Sequence, residues 1–201
     1  TSLMFMSEVS QKTIYFIEKL MLPPRTNVKL LYRAYNQGIL KADNSSKLFL
    51  LSHGQEYISA QITYGENGHR NFYAVDTQYF NDTATYIWRV QNDGEVDMVS
   101  YEIDPVTGEN KVFLDSNTVK NFIVNQRDWY IEGMKVADGV GIWGTVYKSL
   151  SSAELTTFYS IPISESINGV ETKMGLVKNN VYLSQLSRFI SELDLLGTGY
   201  A

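Results

Sequence analysis

The chain has 201 residues, 44% of them hydrophobic and 19% charged, enough apolar sequence to close one sizeable core. Seventeen Lys and Arg against 22 Asp and Glu leave a formal charge of -5, without the basic excess that a phosphate backbone demands, so nucleic acid is not an expected partner. Cysteine is absent, which removes disulfides, thiol catalysis and cysteine-ligated zinc. No window reaches about 18 consecutive apolar residues, and Thr1-Ser2-Leu3-Met4 lacks the basic start of a signal peptide, so the expectation is a soluble chain. Fourteen tyrosines suit half-buried strands and pockets for small polar ligands alike.

Phe5, Val9, Phe16, Ile17 and Leu20 recur at helical spacing. Pro23-Pro24 is expected to interrupt that helix, with a second segment restarting near Pro24, carrying Val28, Leu31, Tyr32 and Tyr35, and stopping at Gly38. Residues 1–40 thus read as a kinked stalk. Asn44-Ser45-Ser46 caps a short helix through Leu51, with Gly54 at its end. The period then changes. Strands are predicted over 58–64 and 71–75 around Gly65-Glu66-Asn67-Gly68, and over 84–90 and 96–103 around Asn92-Asp93-Gly94, with a further turn at 104–108. A short helix follows over 127–136, then strands over 142–148, 156–163 and 172–179, the last two joined through Asn168-Gly169. Leu183, Leu186, Phe189, Ile190 and Leu193 make an apolar stripe on a last helix ending at Gly197. Helices at both ends of a run of strands predict an α+β domain, its long N-terminal helix covering one side of an antiparallel sheet.

No enzyme motif is present. The two histidines, His53 and His69, lack metal-ligand spacing and read as surface or turn residues, and Gly139-Val140-Gly141-Ile142-Trp143-Gly144 lies in a predicted strand rather than opening a helix. No metal or cofactor is expected, and a hydrolase would need acid and base groups that the sequence does not bring together. The chemically richest stretch is Asn125-Gln126-Arg127-Asp128-Trp129-Tyr130. Arg offers a planar fork of donors that matches a carboxylate, and Trp and Tyr can wall a pocket, which suits a small organic anion. The same residues fit a plainer role, with Trp129 and Tyr130 as core aromatics and Arg127 in a salt bridge.

Four segments in register, Arg127-Asp128-Trp129-Tyr130, Trp143-Gly144-Thr145-Val146-Tyr147, Tyr159-Ser160-Ile161-Pro162 and Gly175-Leu176-Val177-Lys178-Asn179-Asn180-Val181, resemble the extracytoplasmic Cache sensor domains of bacterial receptors. The likeness is to the membrane-distal, PAS-like module of the double-Cache type. It implies a stalk over 1–40, a ligand-binding module over 41–196 and, at 197–201, the first residues of a membrane-proximal module, so that the chain would be one part of a membrane-anchored receptor. It also implies an extracytoplasmic location, no catalysis by this domain, and an output domain elsewhere, such as a kinase or a nucleotide cyclase. The stalk's apolar stripe is long enough for two copies to pair as a homodimer.

Relatives that bind amino acids resemble the pattern Tyr, Arg-x-Trp-Tyr, Tyr-x-Asp and a final Asp, in which the Arg side grips the carboxylate and the Asp residues receive the ammonium. Matching residue by residue, Arg127, Trp129, Tyr130 and Tyr147 are retained, while Phe122, Ser149 and Asn180 replace the first Tyr and both Asp residues. An ammonium would lose charge-assisted bonds of roughly 1.5–3 kcal/mol each. The resemblance therefore implies a ligand-sensing domain for a small carboxylate or similar polar metabolite. The alternative is a PAS-like interaction or dimerisation module with a degenerate, empty pocket.

Overall fold

In a computed structural model, which describes residues 2–52, 59–80, 83–150, 152–184 and 187, the chain opens with a single helix, α1 (Ser2–Asn36). The expected interruption at Pro23-Pro24 does not occur. Proline's fixed φ is itself helical, and α1 is held on the sheet from this point onward. Pro24, Asn27, Val28, Leu31 and Ala34 are all buried on one face, whereas no described residue of α1 before Pro24 is buried. Beyond Asn36 the chain closes a Schellman motif, with Gly38 at φ 68°, its N–H on the Tyr35 carbonyl and the Ile39 N–H on the Ala34 carbonyl. Helix α2 (Ser45–Ser52) is capped as expected, the Lys47 N–H donating to Asn44 Oδ1 at 2.8 Å. His53, Gly54, most of the predicted last helix and residues 197–201 lie outside the described residues, although Leu183 is helical.

Nine antiparallel strands follow among the described residues: β1 (Ser59–Tyr64), β2 (Asn71–Phe80), β3 (Thr83–Gln91), β4 (Val99–Ile103), β5 (Asn110–Phe113), β6 (Ile142–Trp143), β7 (Tyr147–Lys148), β8 (Leu155–Ile167) and β9 (Val170–Tyr182). They form one sheet in the order β5-β4-β3-β2-β1-β9-β8-β6, with β7 also on β8, so β1 and β9 join the two halves of the chain at its centre. This is the α+β, PAS-like arrangement that the sequence predicts.

Several local expectations change, among them that β2 runs on to Phe80, β4 starts at Val99 and β5 was not foreseen. The strand predicted over 142–148 is broken, because the Thr145 N–H and hydroxyl both donate to the Glu132 carboxylate, at 3.0 and 2.8 Å, and leave the ladder. The helix predicted over 127–136 is confined to α3 (Asp128–Gly133). Strands β8 and β9 run to 13 residues each, three beyond the predicted end at Asn179 in the case of β9.

Alternation along the strands divides the interior in two. Ile62, Tyr73, Val75, Trp88, Ile161 and Val177 pack toward Val28, Leu31, Leu48 and Phe49 of the helices. Phe72, Ala74, Phe158 and Leu176 face the other way, against Phe122, Val124, Trp129 and Tyr130. The segment 114–150 is therefore a second covering layer, opposite α1.

Two outcomes are expected. In Gly175→Ala the added Cβ would meet the Thr63 carbonyl on neighbouring β1, so urea unfolding should read a loss of about 3 kcal/mol. The Tyr35 hydroxyl donates to Glu165 at 2.5 Å and accepts from Tyr64 at 2.7 Å, and burial pushes its pKa up to about 12. The neutral form is the one folding favours, so this contribution is complete below pH 10 and is lost as pH rises toward 12, which pH-dependent unfolding of the parent and Tyr35→Phe will read.

Candidate functional site

The second interior face contains a cavity of about 360 Å³ between the sheet and the 114–150 layer. Period-2 alternation builds its floor from every second residue of four strands: Lys178 and Asn180 of β9, Gln61 of β1, Asp76 of β2 and Arg89 of β3. Its roof comes from Phe122, from the start of α3 and from the turn around β7. Gln91 of β3 ties the roof down, its Nε2 donating to the Phe122 carbonyl at 2.7 Å.

Arg127 is the cap residue of α3, with extended backbone (φ -81°, ψ 132°), and its carbonyl accepts the N–H groups of Tyr130 and Ile131. Its guanidinium lies 5.1 Å from the centroid of the Phe122 ring, and its buried Nε has no hydrogen-bond partner among the described residues. Trp129 follows on the first turn of α3, 6% exposed. On β7 the Tyr147 hydroxyl donates to Asn180 Oδ1 at 2.9 Å and accepts from Lys178 Nζ at 2.9 Å. Ser149 opens the turn before β8, its N–H on the Glu154 carbonyl. Phe122, Arg127, Trp129, Tyr147, Ser149 and Asn180 thus share one cavity. Tyr130 does not line it. That ring turns toward β9, where its hydroxyl reaches the Met174 carbonyl at 3.4 Å.

The charged floor is absent from the residues that the sequence singles out. Asp76 and Arg89 are diagonal neighbours, since Asp76 pairs with Ile87 and Ala74 with Arg89, and both are at most 2% exposed. Arg89 Nε donates to Asp76 Oδ2 at 2.9 Å and Nη1 to Ser100 Oγ at 2.9 Å, while the Ser59 hydroxyl donates to Asp76 Oδ1 at 2.6 Å. Arg89 Nη2 and Gln61 Oε1 are buried without a partner among the described residues. Lys178, equally buried, has its pKa pulled well below the ordinary lysine range by loss of water, with the Asp76 charge opposing. The Tyr147 hydroxyl is pushed well above 10, again chiefly by desolvation. The signal available in the sequence was a charge in the middle of an apolar strand, as in Trp88-Arg89-Val90 and Val177-Lys178, where both faces of the sheet are covered.

No protein-family model and no curated protein sequence matches the chain. Solved structures do. The ligand-binding domain of the Campylobacter jejuni chemoreceptor Tlp3, in complex with 4-methylisoleucine, superimposes with a TM-score of 0.51 at 11% identity. The chain has the fold of a chemoreceptor sensory domain. The same Tlp3 domain with isoleucine bound gives 0.50, and with L-valine 0.51, both at 11% identity. In the first two comparisons 94% of this chain is covered but only 60% of the Tlp3 chain, so the present chain spans about three fifths of the length of those structures. No described helix is long and apolar enough to cross a membrane.

Removal of one member of the buried pair should reveal its cost. Asp76→Ala leaves Arg89 buried and unpaired and is expected to cost about 3–5 kcal/mol in urea unfolding, whereas the double change Asp76→Leu with Arg89→Met should recover most of that loss.

Proposed function

We propose that the chain is the ligand-sensing part of an extracytoplasmic receptor domain, belonging to a membrane-anchored signal-transduction protein of bacteria. It takes a small organic anion or carboxylate at Arg127 and relays occupancy through α1. One observation carries this reading: the buried, unpartnered Nε of Arg127 at a cavity walled by Trp129 and Tyr147, on the face of the sheet opposite the stalk. A buried donor without an acceptor is costly, and a carboxylate oxygen supplies the acceptor along with the opposite charge. The cavity is the size of a small-molecule site. The fold shared with Tlp3, solved with isoleucine and with L-valine, supports a small polar ligand, while the replacement of both expected Asp residues by Ser149 and Asn180 favours an acid over an amino acid here.

In this reading α1 carries the output and is the surface for a homodimer, because Ile14, Tyr15, Ile17 and Leu22 are all exposed before Pro24. One feature favours an empty interaction module: the buried Lys178 side chain lines the cavity and narrows it. Calorimetry separates the two readings. A panel of short organic acids should include at least one that binds wild type, and Arg127→Ala should weaken it tenfold or more, about 1.5–3 kcal/mol, with little change in melting temperature. A large loss of melting temperature with binding intact would make Arg127 a packing residue and sink the proposal.

A further inference from the structure

One basic side chain of the cavity floor stands outside the ion pair there. Lys178 pairs with Gln61 across β9 and β1 and is 1% exposed, although a lysine stem ordinarily delivers its amine to water. Its Nζ lies 3.7 Å from the centroid of the Trp129 ring, 5.0 Å from that of Tyr147 and 5.4 Å from that of Phe158. It donates to the Tyr147 hydroxyl, which donates in turn to the Asn180 carbonyl oxygen, at 2.9 Å in each step. Aromatic faces around a nitrogen, backed by a hydroxyl and an amide oxygen, make up the surroundings in which proteins hold a ligand's ammonium. Here the amine inside the box belongs to the protein.

We infer that Lys178 determines the specificity of this cavity: its tethered amine fills the subsite that a ligand's amine would take, so the ligand is a small carboxylic acid without an amine. This rests on the reading of Arg127 as the carboxylate anchor. Space and charge act in the same direction. An incoming ammonium meets an occupied box, and around it Arg89, Arg127 and Lys148 outnumber Asp76 and Asp128, with Asp76 already engaged by Arg89 and Ser59. A hydroxyl or oxo group at the α-carbon is neutral and accepts hydrogen bonds from Lys178. The negative ligand also supplies an acceptor to an amine that ring faces and one phenol hydroxyl satisfy only in part.

Matched pairs that differ only in this group test the inference: L-valine against L-2-hydroxyisovalerate, L-alanine against L-lactate, and L-leucine against L-2-hydroxyisocaproate, titrated into the whole chain by calorimetry. At least one hydroxy acid should bind wild type ten or more times more tightly than its amino partner. Lys178→Met should cut that preference at least fivefold, and Arg127→Ala should remove binding of both partners. Equal binding of the two partners by wild type, abolished by Arg127→Ala, overturns the role of Lys178 and leaves the carboxylate anchor standing; an unchanged preference in folded Lys178→Met does the same. Wild type that binds no member of any pair overturns the anchor and the inference together. Should Lys178→Met fail to fold, Lys178→Gln takes its place, and the wild-type ratio still decides by itself.

Discussion

Two basic side chains with 1% exposure, Arg89 and Lys178, stand on the cavity floor beside one buried carboxylate, Asp76. A buried charge without compensation costs several kcal/mol, so the rest of this half of the molecule is constrained by where that compensation comes from. Arg89 takes the carboxylate and the Ser100 hydroxyl. Lys178 is left with ring faces and one phenol, which explains why the roof above it is aromatic and why α3 and β7 must approach the sheet closely enough to bring Trp129 and Tyr147 within reach. Changing the floor to apolar residues would remove the need for that roof.

The two-layer reading of the sequence succeeded where hydrophobic period was strong: the face of α1 from Val28 to Tyr35, the hairpin through Asn168-Gly169, and the cap at Asn44. It failed at Pro23-Pro24, because local propensity counts the lost N–H groups and is blind to the sheet that holds Pro24 and Val28 in place. Six of the seven residues singled out as ligand contacts share the cavity. Arg127 and Trp129 were legible from their own chemistry, whereas Phe122, Tyr147, Ser149 and Asn180 were legible only through resemblance, since nothing in their spacing along 122–180 makes them neighbours. Tyr130 illustrates the limit. Adjacent residues at a helix start point about 100° apart, so Trp129 over the floor sends Tyr130 toward Met174. The charged part of the floor, Asp76, Arg89 and Lys178, was missed for a different reason. The predicted strand ends at Asn179, whereas β9 continues to Tyr182 with Lys178, Asn179 and Asn180 all buried.

The same three residues tie the two faces of the sheet together. Lys178 and Asn180 point into the cavity, and between them the Asn179 amide donates to Asn27 Oδ1 of α1 at 3.2 Å, with Asn27 Nδ2 donating onward to the Leu51 carbonyl at 3.1 Å. A second polar link, Tyr64 to Tyr35 to Glu165, holds the end of α1. Each such bond is worth a net of about 0.5–1.5 kcal/mol, whereas a ligand at micromolar affinity brings about 8 kcal/mol. In the proposed sensor, occupancy therefore has ample free energy to break the polar links. It has far less advantage over the apolar contact of Val28, Leu31 and Ala34 with the sheet, where every buried side chain contributes about 1.5–3 kcal/mol. The motion favoured by that difference keeps the apolar face in contact and exchanges hydrogen-bond partners along it. It is a small slide or rotation of α1 as a rigid rod, since β9 is fastened on both edges by β1 and β8 and cannot yield alone. A rod whose described buried residues all lie from Pro24 onward would carry that displacement into its first half.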